Sequence, residues 1–182
     1  MSWITGWQDD EYMAQKREEL WAVEQYLAGR DVRTVLEIGP GLAWESRQWQ
    51  AKWRTVNHLI ERDGPGQGTR HKDFGDAGTM TGYHTLAQLR GELARWPEFQ
   101  YTLWDTDRLP DHAGVTYDLV YSNRSWGFHY PVTTHRDWIV RHSHGRTVII
   151  AQLRNRMAHP GVRVIERIHR AHKCDICHLE YL

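Results

Sequence analysis

Long apolar runs are missing from this 182-residue chain: no stretch of about 18 apolar residues occurs, which excludes a membrane-spanning helix. Cysteine is scarce. Two residues, Cys174 and Cys177, cannot build a disulfide scaffold. No excess of one charge exists either, because 23 Lys and Arg balance 23 Asp and Glu. The chain therefore has no global field to recruit nucleic acid or an anionic membrane. Residues Met1 to Asp10 show neither the basic nor the apolar region of a signal peptide, so a cytoplasmic location is expected. Internal repeats, low-complexity segments and interdomain linkers are absent as well. At this length a single domain is expected, with residues 1–30 as a helical cap on a core of residues 31–182.

What is present is an apolar run, Thr34-Val35-Leu36-Glu37-Ile38, ending in Gly39-Pro40-Gly41. Near-continuous apolar character marks a buried parallel strand. The glycines allow a tight turn and close approach of backbone to a ligand. A helix over Leu42–Trp53 would follow, with its first N–H groups facing the turn. Strand, glycine turn and helix make the nucleotide-binding corner of an α/β fold. A dinucleotide fingerprint would need glycine at position 44, where Trp44 stands, and this argues against a nicotinamide dinucleotide.

The remaining pattern alternates strands with helices, which predicts a mostly parallel sheet with helices on both faces. Asp9 is placed to cap a helix running to about Ala28, with Met13, Leu20, Val23 and Leu27 on one face and Gly29 at its end. Further strands are expected at Val56–Glu61, Phe99–Trp104, Tyr117–Ser122, Arg146–Leu153, Val162–Ile168 and Ile176–Leu182, the last ones including an antiparallel edge. Helices are expected over Tyr83–Arg95 and Val132–Arg141. Asp63 to Gly68 reads as a glycine-rich loop.

The Glu-Ile-Gly-Pro-Gly turn resembles the first motif of class I S-adenosylmethionine-dependent methyltransferases, an apolar strand followed by Glu/Asp-x-Gly-x-Gly. Ala43 stands where these enzymes often carry a third glycine. The resemblance implies a Rossmann-like sheet of about seven strands, S-adenosylmethionine as cofactor, and donor contacts from Glu37, Gly39, Pro40 and Gly41. Glu61 ends the second strand, 20 positions beyond Gly41, where an acid commonly bonds ribose hydroxyls. Asp63 is its alternate. Asp105, after the third strand, would by the same resemblance accept from the adenine amino group, with Asp107 as competitor and a plain turn role as the other reading.

Tyr117 to Ser122 is similar to the fourth methyltransferase motif, which brings Ser122 to the donor. The next segment, Ser125-Trp126-Gly127-Phe128-His129-Tyr130-Pro131, resembles a group of sugar O-methyltransferases from bacterial polysaccharide loci. That likeness implies transfer to a hydroxyl of a small molecule; the charge balance argues against a nucleic-acid or membrane partner, and a homodimer is a compatible state. An imidazole titrates near pH 6.5, so His129 could take the hydroxyl proton. Trp126 and Tyr130 could wall the acceptor pocket, Trp126 by stacking on a sugar face. Most of the ten tryptophans are expected in the core or along the cleft. His84 is a minor candidate.

The run His172-Lys173-Cys174-Asp175-Ile176-Cys177-His178 contains the pattern of c-type haem attachment and four ligand types for zinc. Alternation along a final strand would spread those side chains over two faces, so reduced, structural cysteines are preferred and no metal is expected. Two other functions compete: a nicotinamide-dependent oxidoreductase, and a non-catalytic methyltransferase-like binding module.

Overall fold

A computed structural model describes residues 9–64, 84–127, 131–155, 157–171 and 174–182. Helix α1 (Asp10–Tyr26) begins where the sequence placed it, because the Asp9 side chain accepts from the Tyr12 N–H at 3.0 Å. It ends ahead of Gly29, which takes φ +81°. Strand β1 (Thr34–Ile38) leads through the glycine turn to α2 (Trp44–Trp53), and β2 (Val56–Glu61) follows. Helix α3 (Leu86–Leu93) starts in a reciprocal capping box of Thr85 and Gln88. Then come β3 (Tyr101–Asp105), β4 (Tyr117–Ser122), α4 (Arg136–Arg141), β5 (Ser143–Arg154), β6 (Val162–Arg170) and β7 (Cys174–Tyr181).

These strands form one seven-stranded sheet in the order β3-β2-β1-β4-β5-β7-β6. Strands β1 to β5 run parallel, while β7 lies antiparallel to both β5 and β6. The sheet is thus mixed. The expected antiparallel strand is inserted next to the edge, and β6 takes the edge itself. A hairpin connection makes this pair antiparallel: β6 and β7 are separated by only a few residues, too few for a parallel crossover.

Side chains alternate across the sheet and divide the core in two. Val35, Leu119, Tyr121, Val148 and Ile150 pack against Leu20 and Val23 of α1 and Trp49 of α2. On that same face Leu59 packs against Leu89 and Leu93 of α3. Leu36, Ile38, Val120, Ile149 and Ala151 face the other way, against Trp138 and Ile139 of α4. Helices therefore cover both faces. The β3–β4 crossover, residues 106–116, carries no helix and packs Leu109, Ala113 and Val115 onto the α4 side. No helix among the described residues is long and apolar enough to cross a membrane.

Register at the N-terminal end of the sheet depends on Asp118. Its carboxylate accepts from the N–H groups of Arg33 and Thr34 at 2.8 and 2.9 Å. This fastens β4 beside β1 at the end remote from the glycine turn. The carboxyl ends of the strands are left for ligands, as in other open α/β sheets.

Candidate functional site

The glycine turn sits at the carboxyl end of β1, between the ends of β2 and β4. Gly39, Gly41 and Ala43 all have positive φ, at +66°, +54° and +47°. A chain turning so sharply favours glycine at the first two, since left-handed backbone is strained for other residues. Pro40 is buried, and its carbonyl accepts from Ala43 N–H at 2.8 Å, closing the turn before α2. A Cβ on Gly39 would lie 2.0 Å from Ser125 Oγ and 2.2 Å from Ser125 Cβ. What approaches Gly39 most closely in this structure is therefore the loop after β4, not only a prospective ligand.

Glu61 reaches the same place from β2. Its carboxylate accepts from the Arg62 N–H at 2.9 Å and also interacts with the backbone N–H of Gly41. The acid of the second strand and the glycine turn thus meet. Burial pushes the Glu61 carboxyl up to about 7, against the opposing pull of those N–H groups and of the Arg62 charge. His84 lies on its far side, with Nε2 3.9 Å from Glu61 Oε2, and burial pushes that imidazole down to about 4. At neutral pH His84 is therefore an uncharged neighbour of the acid. Asp63, the alternate acid, is engaged elsewhere, accepting from Leu86 N–H at 2.9 Å at the start of α3.

Asp105 ends β3 beside Glu61, its register partner on β2. One of its oxygens accepts from Asp107 N–H at 3.0 Å, so the side chain also builds its own turn. Asp107 pairs with Arg62 at 2.9 Å on the surface. Glu61 and Asp105 are therefore side by side at the carboxyl ends of β2 and β3.

Ser122 and Trp126 have different surroundings from those expected. The Ser122 hydroxyl is fully buried, donates to the Ile38 carbonyl at 2.8 Å and accepts from Trp126 N–H at 2.9 Å. It staples the end of β4 to β1. Trp126 is also fully buried, packed among Ile38, Val132 and Leu153, with an edge contact to Tyr181. An indole with no exposed face cannot stack on a sugar. The stacking role is replaced by core packing, because the staple turns the chain inward immediately after β4. His129 and Tyr130 lie outside the described residues. Gly127 before them takes φ +76° and its carbonyl accepts from Arg154 N–H at 3.4 Å, which holds this loop at the end of β5.

Beneath the turn lies a group of buried charged and amide residues, of which the sequence reading had named only Glu37. Lys16 and Glu19 of α1, Glu37 of β1, Glu45 of α2 and Gln152 of β5 are all at most 3 % exposed. Lys16 forms an ion pair with Glu45. Asn123 Nδ2 donates to Glu19 and Glu45, each at 3.0 Å, and Arg124 reaches Glu19 at 3.3 Å. Ser46 donates to Glu37 at 2.5 Å. Burial, and next the charge of Glu45, push the Glu37 carboxyl up to about 8, so near neutrality it is protonated. Three acceptors in this group, Glu45 Oε2, Asn123 Oδ1 and Gln152 Oε1, are buried without a hydrogen-bond donor. A signal for it exists in the sequence: Lys16 and Glu19 fall on the helical stripe of Met13, Leu20 and Val23.

Cys174 and Cys177 are reduced and buried on β7. Their register partners on β5 are Arg154 and Ala151, three residues apart, so the two thiols lie on opposite faces of the strand. Burial pushes the Cys177 thiol up to about 11, which makes it unreactive at neutral pH. Among the described residues no group of three or more His, Cys, Asp or Glu is arranged to hold a metal ion.

No protein-family model matches the sequence, and no curated protein matches it. Solved structures do. A ribosomal-protein methylase of Lactobacillus delbrueckii subsp. bulgaricus is similar with a TM-score of 0.56 and 12 % identity, over 89 % of this chain and 75 % of that one. MtNAS, crystallised with MTA and tNA, gives 0.54 and 12 % over 96 % and 66 %. The plantazolicin methyltransferase BpumL, crystallised with SAH and a triazolic desmethylPZN analog, gives 0.50 and 12 % over 84 % and 57 %. The chain thus spans less than two thirds of the last two proteins. At these identities the likeness establishes the Rossmann-like α/β fold.

Proposed function

We propose that this protein binds S-adenosylmethionine across the glycine turn and transfers its methyl group to a hydroxyl of a small molecule, a sugar being the acceptor class favoured by the loop 125–131. The observation that carries the reading is the meeting of Gly41 and Glu61 at the carboxyl edge, with Asp105 beside them on β3. The fold supports it, since two similar structures hold SAH or MTA. Glu61 would accept from the ribose hydroxyls and Asp105 from the adenine amino group. The buried acceptors of Glu45, Asn123 and Gln152 suit the donor's ammonium group, whose arrival would favour ionisation of the neighbouring Glu37.

In the reaction the acceptor oxygen forms a bond to the methyl carbon as the carbon–sulfur bond breaks. The sulfonium becomes a neutral thioether, and the hydroxyl proton passes to a base. His129 is assigned that role. Holding donor and acceptor in line supplies most of the acceleration. His129→Ala should keep donor affinity and lower turnover by about tenfold or more. Unchanged turnover would remove His129 from the mechanism.

Titration calorimetry with S-adenosylmethionine and with NAD tests the donor, and binding of NAD alone would overturn the reading. The ionised form of Glu61 is the better acceptor, so donor affinity should fall as pH drops through about 7. Glu61→Gln should weaken donor binding about tenfold or more and flatten that pH dependence. A variant that keeps the parent's pH profile would assign the titration to another group.

A further inference from the structure

A second cleft opens beyond the end of β5, on the α4 side of the sheet. Its volume is about 720 Å³, and its walls include Leu153 and Arg154 of β5, Arg167 and Arg170 of β6, and Asp175 and Cys177 of β7. Three arginines stand there against one carboxylate.

The two arginines of β6 reach one face through a defect in the strand. Residues 167 and 170 are three apart, so regular alternation would point them to opposite faces. The β6–β7 register shifts between Arg167 and His169, pairing Arg167 with Cys177 and Arg170 with Asp175. Cys177 and Asp175 are two apart and share a face. The bulge thus puts both guanidinium groups on that face, a re-aiming that such defects commonly perform. Arg167 Nε bonds Asp175 Oδ2 at 2.6 Å, which fixes its plane and neutralises the acid. Arg170 makes no ion pair among the described residues. The cleft therefore retains cationic donors above a buried floor of Leu153 and Cys177.

The cleft is also tied to the segment that follows β4. Arg154, on its wall, donates its N–H to the carbonyl of Gly127, the residue that leads into the loop of His129.

We infer that this cleft binds an oxyanion, a carboxylate or a phosphate, carried by the acceptor molecule, with Arg170 and Arg167 as its ligands. The inference rests on the methyl-transfer reading for the identity of the ligand as an acceptor. The anion site itself does not. Guanidinium groups present paired N–H donors that match both oxyanions. An apolar floor with a charged wall selects a molecule that has both an apolar part and an acid group.

The test is an NMR titration of the full chain with inorganic phosphate and, separately, with acetate, at ionic strength held constant with potassium chloride. At least one of the two should give saturable shifts at the β6–β7 resonances, with an affinity on the order of millimolar; which one binds more tightly distinguishes phosphate from carboxylate. Arg170→Ala should weaken binding about fivefold or more, consistent with loss of one charge-assisted contact. Arg163→Ala is the control, since Arg163 pairs with Glu180 on the opposite face of the same hairpin. Shifts that track ionic strength without saturating, or an Arg170→Ala variant that binds as the parent does, would overturn the inference. Calorimetry with S-adenosylhomocysteine on the same samples reports the donor site independently, so loss of one reading is distinguishable from loss of the other.

Discussion

Replacing Lys16 by methionine should cost about 3–5 kcal/mol of folding stability, the usual consequence of removing one partner from a buried ion pair. Lys16 and Glu45 have side chains 4 % and 1 % exposed, so neither can turn to water when the other is lost. The pair also joins α1 to α2, and Asn123 extends the connection to the loop after β4. Three segments around the glycine turn thus share one network. Urea unfolding measures the effect, and a change under about 1 kcal/mol would show that the pair is solvated in solution. The double variant Lys16→Met/Glu45→Gln should recover part of the loss, because it removes the charge as well as its partner.

Gly39→Ala should weaken donor binding about a hundredfold or more, equivalent to about 3 kcal/mol. Two separate costs act at this position. Left-handed backbone strains any residue with a Cβ by about 1–2 kcal/mol. The new methyl would also overlap the Ser125 side chain, whose Oγ and Cβ lie 2.0 and 2.2 Å from its position. Relief requires the loop 123–127 to move away from the turn, and that loop contains Trp126 with its hydrogen bond to Ser122. Calorimetry with S-adenosylhomocysteine reads the loss. Adding Ser125→Gly should restore part of the affinity, because it removes the overlap and leaves only the backbone strain. No recovery in the double variant would mean that strain, and not the Ser125 contact, dominates.

These two residues illustrate how unequally the sequence disclosed the site. Gly39 stood in a motif, and its need for an unusual turn was readable from its neighbours. Lys16 stood in an ordinary amphipathic helix, where a lysine on the apolar stripe resembles one that snorkels to solvent. Only its placement opposite Glu45, which lies 29 positions away, shows that it is buried and paired. Likewise β2 and β4 begin and end where the apolar pattern said, since turn residues flank them. The predicted helix over Val132–Arg141 shrinks to Arg136–Arg141, because His135 takes φ +68° and starts it late. Phe99 belongs to the turn before β3 and packs on α3, a contact that local alternation cannot reveal.

By itself the sequence determined the run of strands and helices, the glycine turn at the end of β1 and the acid at the end of β2. Each is set by residues adjacent in the chain: apolar alternation, backbone freedom at glycine, and polar residues at the strand ends. The tertiary structure alone decided that Trp126 is core and not a sugar platform, that Ser122 staples β1 to β4, and that five charged or amide side chains are buried together beneath the turn. It also decided that a bulge gathers Arg167 and Arg170 on one face of the β6–β7 hairpin. Those outcomes depend on which segments meet across long separations and which side of the sheet each residue faces. Distant pairing fixes both.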